Sequence, residues 1–272
     1  MINIVHQKPC AELNRYIRKI SIFTSDGEIK YKQKLTPSAF TYLSYNHQDI
    51  PISIFNSERI QPKRRIQIAG PKIDDNIFVE YNGRLSQILM EFSASGFYYL
   101  FHISPIQFIN KLSDLNNPIF PEGQVELEKK LCRTKTVNEQ IRLLEQFLID
   151  LSANALPSIN YVENALVLID KNNGNIAVSE ICNQIGISER QFNRKFQDVV
   201  GIGPKCYLKL TQLHYIIKLM QSNKDSSMQE LAYRAEFYDP AHFTHRFKEL
   251  TRFTPFEFIN SDKHIALDFF TE

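Results

Sequence analysis

The chain lacks the features that announce most catalytic chemistries. Its four cysteines, Cys10, Cys132, Cys182 and Cys206, are scattered, with no CxxC pair and no metal-ligand spacing. Such cysteines are small apolar residues of a reducing compartment. No His-x-His pair accompanies the carboxylates of the N-terminal half. A metalloenzyme built from His6, His47, His102 and Glu91 therefore has no close ligand core. No GxSxG occurs, and no cysteine sits among basic residues in a nucleophile motif. No apolar run approaches the roughly 18 residues of a membrane span. The first residues show no basic segment followed by an apolar one, so no secretory leader is expected and the location is read as cytoplasmic. Neither catalytic residues, nor a cofactor, nor a metal is expected.

An excess of charge of either sign is also missing. The net charge is +2, and from Leu156 onward 13 Lys/Arg face 14 Asp/Glu. Affinity for a polyanion must then come from local clustering and not from the total.

What is present is ordinary globular material, 43% hydrophobic and 23% charged over 272 residues, with one stretch used twice. Ser188-Glu189-Arg190-Gln191-Phe192-Asn193-Arg194-Lys195-Phe196 leads to Pro204 and then Tyr207-Leu208. Fifty-one residues downstream, Asp239-Pro240-Ala241-His242-Phe243-Thr244-His245-Arg246-Phe247 leads to Pro255 and Phe258-Ile259. A fixed-offset echo marks one supersecondary unit built twice.

The N-terminal part, residues 1–155, reads as β-rich. Short, partly alternating segments, Tyr31 to Leu35, Phe40 to Tyr45, Ile52 to Phe55 and Arg65 to Ala69, are separated by turn residues. Asp26-Gly27 and Asn82-Gly83 read as turns, the second as a two-residue hairpin between Ile77–Tyr81 and Leu85–Phe92. Helices are expected over Phe97–Phe101, Pro105–Leu112, Glu122–Cys132 and Thr136–Leu151, the last with Thr136 and Glu139 spaced as a capping box. Phe40, Tyr42, Tyr45, Phe55, Phe78 and Tyr81 are candidates for a small-molecule pocket, though sheet core is the commoner fate of such residues. Lys63-Arg64-Arg65 reads as a solvated loop. Ser152 to Ser158 is the linker.

From Ser158 the pattern is all helix and turn. Ser179 is read as the N-cap of a short helix that stops at Gly186, and Ser188 caps the next, through Val199. Pro204 opens a long helix to about Ser222. The second copy spans Met228–Ala235 and Asp239–Leu250, and Pro255 opens a last helix. Phe269-Phe270 is expected to pack back on a domain surface. The fold expected is α+β overall: a β-rich, barrel-like N-terminal domain (1–155) with trailing helices, then an all-α domain (156–265) of two helix-turn-helix units joined by a long helix.

In such a unit the second helix enters the DNA major groove. With Phe192 and Phe196 inward, Arg190, Asn193, Arg194 and Gln197 fall on the opposite side. Arg matches guanine bidentately and Asn matches adenine. In the second copy Pro240, Ala241, Thr244 and His245 face out. Ala241, Thr244 and His245 are the candidate base-facing residues there. Ser188, Lys195, Arg246, Lys248 and Arg252 are the candidate phosphate contacts.

Residues 158–260 resemble the DNA-binding domain of AraC/XylS-family transcriptional regulators. The matching marks are Ile181-Cys182, Gly186-Ile187-Ser188, Phe192, Arg194, Phe196, Gly201-Ile202, Pro204 and Tyr207-Leu208. They continue with Glu230-Leu231-Ala232, Phe237-Tyr238-Asp239, Phe243, Phe247-Lys248 and Thr254-Pro255. The resemblance implies two helix-turn-helix modules reading successive major-groove segments of double-stranded DNA. The second copy departs from the pattern. Glu236 and Arg252 stand where glycines are usual and His245 where Arg is usual, while Gln212 replaces an Arg on the connecting helix. The first copy is therefore expected to be the main base reader. His6 to Ile17, Gly70-Pro71 and Phe92 to Phe97 resemble the β-rich N-terminal domain of one family subgroup, which implies a regulatory or dimerising role. A small-molecule effector, RNA polymerase and a second copy of the chain are the candidate partners besides DNA. The alternative is constitutive DNA binding, with the N-terminal domain a protein-interaction module without ligand.

Overall fold

The structure is a computed structural model and describes residues 2–55, 57–74, 76–120, 122–223 and 227–259. The Phe269-Phe270 pair and the end of the expected 156–265 domain lie outside the described residues.

The N-terminal half is an antiparallel sheet of eight strands: β1 Ile2–Gln7, β2 Ile17–Lys34, β3 Tyr42–Asn46, β4 Ile52–Phe55, β5 Glu58–Ile60, β6 Ile66–Ala69, β7 Ile77–Phe92 and β8 Leu112–Asp114. The main order is β1-β2-β7-β3-β6-β8, with β4 pairing β7 and β5. The two long strands, β2 and β7, form the spine. The first part of β7 carries β4, and its second part carries β3. The sheet therefore splits into two wings that curl around a common cavity, the barrel-like shape anticipated from the short alternating segments.

Two turn expectations are corrected here. Neither Asp26-Gly27 nor Asn82-Gly83 reverses the chain. β2 and β7 run straight through them and pair with each other from Ile17/Phe92 to Lys34/Phe78. The register shifts between Thr24 and Glu28, where Ser86 and Arg84 stand opposite. The extra residues make a bulge, and the Ser25 hydroxyl accepts from the Leu85 amide at 2.9 Å in place of the missing ladder bond. Gly83 has φ +121°, and a Cβ there would come within 2.3 Å of the Asp49 carboxylate, which accepts from the Arg84 amide at 2.8 Å. Asp26-Gly27 thus serves a bulge where a hairpin was expected, while Asn82-Gly83 stays in register opposite Lys30 and Ile29.

After the sheet come α1 Gly96–Phe101, α2 Gln124–Arg133 and α3 Val137–Ser152. Pro105–Leu112 is not one helix: a 3-10 turn covers Pro105–Phe108, and the chain then enters β8. Thr136 accepts from the Glu139 amide at 3.3 Å and caps α3 as expected. Under the sheet, Phe92, Phe97, Phe101, Phe108 and Phe120 make a set of edge-on and stacked rings 4.8 to 6.5 Å apart.

The C-terminal half contains α4 Asn160–Lys171, α5 Val178–Ile185, α6 Glu189–Val200, α7 Pro204–Ser222, α8 Met228–Arg234, α9 Pro240–Thr251 and α10 Pro255–Ile259. Ser179 is not a cap. α5 starts two residues earlier than that cap implies, at Val178, with Ala177 at the cap position and no side-chain cap bond. The buried apolar cluster is continuous from Leu13 to Phe258, so the two halves share one core. The Ser152–Ser158 segment is held down as well: the Leu156 amide donates to the Tyr99 carbonyl at 2.9 Å, and the Ile159 amide to the Tyr99 hydroxyl.

Candidate DNA interface

Each copy of the repeat folds as the expected two-helix unit. In the first, Gly186 closes α5 at φ +72° and the Ser188 hydroxyl accepts from the Gln191 amide at 3.3 Å. Phe192, Phe196, Val199 and Val200 are fully buried, and the two Phe rings meet edge-on at 5.1 Å. Pro204 then starts α7, whose inner side is Tyr207, Leu208, Leu213, Ile216, Ile217 and Met220.

The second copy has a longer connection. Three residues separate α5 from α6, and five separate α8 from α9. Glu236 takes φ +60° where a glycine is usual, and Tyr238, 99% exposed, lies just before the capping Asp239. Ser227 and Glu230 form a complete capping box on α8, and Asp239 accepts from the His242 amide at 2.7 Å. Left-handed backbone costs a non-glycine residue roughly 1–2 kcal/mol. Glycine returns part of this through the freer unfolded chain, roughly 0.4–1 kcal/mol. Glu236→Gly is therefore expected to stabilise the protein by about 0.5–1 kcal/mol in urea unfolding. A loss of stability would show that the Asn175 amide bond to the Glu236 carboxylate outweighs the backbone strain.

The outward face of α6 carries Arg190, Arg194 and Gln197, all exposed, with Asn193 half-buried beside them. The Asn193 amide is turned onto the Glu189 carbonyl at 2.7 Å. Ser188 is spent on its cap and remains exposed. Lys195 points the other way. Its ammonium meets the Asp198 carboxylate at 2.9 Å and the Tyr98 hydroxyl at 3.2 Å, and lies over the Tyr98 ring. The Asp198 hydrogen bond, helped by Tyr98, raises its pKa. This side chain ties α6 to α1 and is not presented with the other cations.

On α9, Ala241 and His245 are exposed and Thr244 is half-buried. Lys248 is exposed. Arg246 pairs with the Glu249 carboxylate at 2.8 Å, which also meets Lys209 of α7 at 3.5 Å. The Arg246 hydrogen bond holds the Glu249 carboxyl below its usual range. Arg252 is the left-handed C-cap of α9, at φ +65°.

The other sequence candidates disperse. His6 bonds Ser21, His47 bonds Tyr45 and Gln140, the His102 ring bonds the Asn154 carbonyl, and Glu91 pairs with Arg18 at 2.7 Å. Among the described residues no group of His, Cys, Asp and Glu is placed to hold a metal, and no helix is long and apolar enough to cross a membrane. Arg65, from the basic loop, donates to three carbonyls, of Asn46, His47 and Gln48. Of the aromatic set, Tyr42, Phe55 and Tyr81 line the sheet cavity, Tyr45 is core, and Phe40 stacks on His214 of α7.

Residues 181–261 match the family model of a helix-turn-helix domain. A crystal structure of ToxT from Vibrio cholerae O395, bound to (E)-4-(8-methylnaphthalen-1-yl)but-3-enoic acid, aligns over 100% of this chain and 99% of its own at 13% identity, TM-score 0.50. ToxT from Vibrio cholerae strain SCE256 with an unsaturated fatty acid bound aligns over 95% of this chain and 94% of its own, at 12% identity and TM-score 0.46. An AraC-type DNA-binding domain-containing regulator from Chromobacterium violaceum covers 36% of this chain and 88% of its own, at 23% identity and TM-score 0.32. Among curated proteins, none matches the chain. Residues 181–261 of this chain are thus matched as a helix-turn-helix domain, set behind a β-rich half in the two-part order of the ToxT fold.

Proposed function

We propose that the chain is a sequence-specific DNA-binding transcription regulator, with residues 156–265 reading two major-groove segments and residues 1–155 regulating them. The observation that supports this best is the pair of buried-Phe reading helices joined by the 19-residue α7. At about 1.5 Å per residue α7 spans about 28 Å, a fair strut between groove segments about 34 Å apart. Arg190, Arg194 and Gln197 are assigned to base edges, with Asn193 joining them once it leaves the Glu189 carbonyl. Ala241, Thr244 and His245 are the weaker second set. Ser188, Lys248 and Arg252 fall to phosphate. Arg246 joins them by exchanging Glu249 for a phosphate, and Lys195 does so only by leaving Tyr98. RNA polymerase and a second copy of the chain are proposed as further partners, and the location as cytoplasmic. Selection of bound sequences from a random DNA pool by the full chain checks the reading. Two enriched segments about one helical turn apart are expected, the stronger read by α6. No enrichment would sink it.

The sheet cavity favours effector control over a ligand-free interaction module. It encloses about 130 Å³ and is lined mostly by apolar side chains, among them Phe23, Leu35, Phe55, Ile77 and Leu89. The Lys72 side chain reaches it, with its ammonium 4.2 Å from the centre of the Tyr42 ring. The buried Thr36 hydroxyl there has no hydrogen-bond partner. A cation and a spare hydroxyl in an apolar hole suit a compact carboxylic acid, and the ToxT structure above holds an acid too. The volume matches an acid of about benzene size better than a long acyl chain.

Burial lowers the Lys72 pKa to about 8. A lysine whose folded pKa is depressed binds fewer protons folded than unfolded. The ligand-free protein is therefore expected to gain stability as pH rises from about 8 towards the ordinary lysine value. An acid that uses the ammonium should bind progressively more weakly over the same rise. Benzoate, octanoate and hexadecanoate are the probes. At about 100-fold Kd, benzoate is expected to stabilise the full chain by about 2.7 kcal/mol at about pH 7, and Lys72→Met to abolish the effect. An equal thermal shift in Lys72→Met would remove Lys72 from the site.

A further inference from the structure

The two reading helices are held by different parts of the N-terminal half. The C-terminal end of α6 rests on α1 and the 3-10 turn. Tyr98 meets Lys195, the Ser104 hydroxyl donates to the Asp198 carbonyl at 2.6 Å, and Gly201 lies so close to Pro105 that a Cβ would come within 2.7 Å of it. None of Tyr98, Ser104 and Pro105 lines the sheet cavity.

The C-terminal end of α9 is held elsewhere, by the short strap Lys34–Ser38 that leaves β2. The Lys34 ammonium donates to the Thr251 carbonyl at 3.4 Å and lies over the Phe253 ring at 5.0 Å. The His214 ring of α7 donates to the Pro37 carbonyl at 3.0 Å. Thr251 in turn anchors the helix end, its hydroxyl donating to the Phe247 carbonyl and accepting from the Phe253 amide. Where Lys34–Pro37 faces Thr251, Phe253 and Phe258 the gap is about 10 Å³, room for at most one water, while a wider cleft of about 390 Å³ opens beside it between Pro37 and Glu249, Leu250 and Arg252. The close contact that couples strap and helix end is therefore the one at Lys34, Thr251 and Phe253.

The same strap is a wall of the cavity on its other side. Leu35, Thr36 and Ser38 face the hole. Ser38 exchanges both backbone hydrogen bonds with Lys72 at 2.8 Å, and its hydroxyl meets the Tyr42 hydroxyl at 2.8 Å. Lys72, Tyr42 and Ser38 thus form one connected polar corner that ends in the strap, and the unpartnered Thr36 hydroxyl lines the same cavity.

We infer that the Lys34–Ser38 strap reports the state of the sheet cavity to the second helix-turn-helix alone, moving the end of α9 while α6 keeps its seat on α1. The inference rests on the DNA-binding reading above. Filling of the hole pushes on Leu35 and Thr36, and a charge at Lys72 pulls on Ser38. Either motion passes through Lys34 to Thr251 and Phe253 at the end of α9. The first recognition helix then holds the operator constantly, and the second engages or leaves its segment with the cavity's state.

The test fills the cavity by substitution and so needs no ligand. In the full chain, Ala69→Phe places a ring in the hole from one wing, and Val79→Phe does so from the other. Affinity is measured for DNA carrying both selected segments and for DNA with the second segment scrambled. The expected result is a change of at least fivefold on the two-segment DNA and less than twofold on the scrambled DNA. That change should disappear when Lys34→Ala/Phe253→Ala cuts the strap contact. Equal changes on both DNAs, no change on either, or a change that survives the cut strap would overturn the inference. If one ring variant fails to fold by circular dichroism, the other carries the measurement. If both fail, benzoate on the wild-type chain takes their place, read on the same two DNAs and by the same criteria. Wild-type chain that binds neither DNA would instead overturn the DNA-binding reading.

Discussion

Phe196→Ala is expected to lower the unfolding free energy by about 3–5 kcal/mol, the range for emptying a fully buried aromatic position. Phe196 has no exposed surface, and its ring meets Phe192 at 5.1 Å and Tyr207 at 5.4 Å. It therefore joins α6 to α7, and the hole it leaves is bounded by two helices that cannot both close on it. α6 is also held on either side of this ring, at Lys195 by Tyr98 and at Asp198 by Ser104, which limits relaxation further. Ordinary domains are stable by roughly 5–15 kcal/mol, so this one substitution takes a large share. Urea unfolding followed by circular dichroism measures it. Because the apolar cluster runs unbroken from Leu13 to Phe258, one transition is expected, with its midpoint lowered and its slope unchanged. A destabilisation below about 1 kcal/mol, far under that range, would mean that α6 is not seated through this ring.

The second large effect is on DNA and leaves the fold alone. Arg190→Ala/Arg194→Ala removes two exposed side chains, so stability should stay within about 0.5 kcal/mol. Removing an arginine that pairs with a base edge costs about 1–3 kcal/mol, so the double variant should bind the selected DNA roughly 30- to 10⁴-fold more weakly. Lys195→Ala gives a useful contrast. It breaks the tie to Asp198 and Tyr98, so its main effect should fall on the docking of α6 and not on sequence preference. Unchanged binding by the double arginine variant, in a protein that melts normally, would mean that another face of α6 meets the groove.

Much of the C-terminal half was legible in the sequence because it depends on local signals. Ser188, Asp239, Gly186 and Pro204 each mark a helix end through their own backbone chemistry, and the Phe pairs at fixed spacing mark the buried faces. Glu236 and Arg252, out of place as glycine substitutes, do adopt left-handed backbone. In the N-terminal half the same logic misled. Asn82-Gly83 and Asp26-Gly27 have hairpin composition, yet the first pairs in register with Lys30 and Ile29 and the second lies in a bulge, because register between β2 and β7 is set by long-range pairing. The residues on which the proposed regulation rests carried no motif at all. Lys72, Lys34, Tyr98 and His214 are single residues of common type, and their roles come from what the fold brings against them. Lys195 fits the same pattern: helical spacing puts it beside the exposed Arg190–Arg194 face, and only the docking of α1 turns it away.

Base discrimination by Arg194 tests the DNA-reading role of α6 most directly. Affinities of the wild-type chain and Arg194→Ala are measured against operators that each carry one changed base pair, at a single fixed salt concentration. Arg194→Ala is expected to bind every substitution at one position of the first segment equally well while keeping the wild-type preferences elsewhere. A uniform weakening across all operators, with every preference intact, would contradict that role and make Arg194 a phosphate contact.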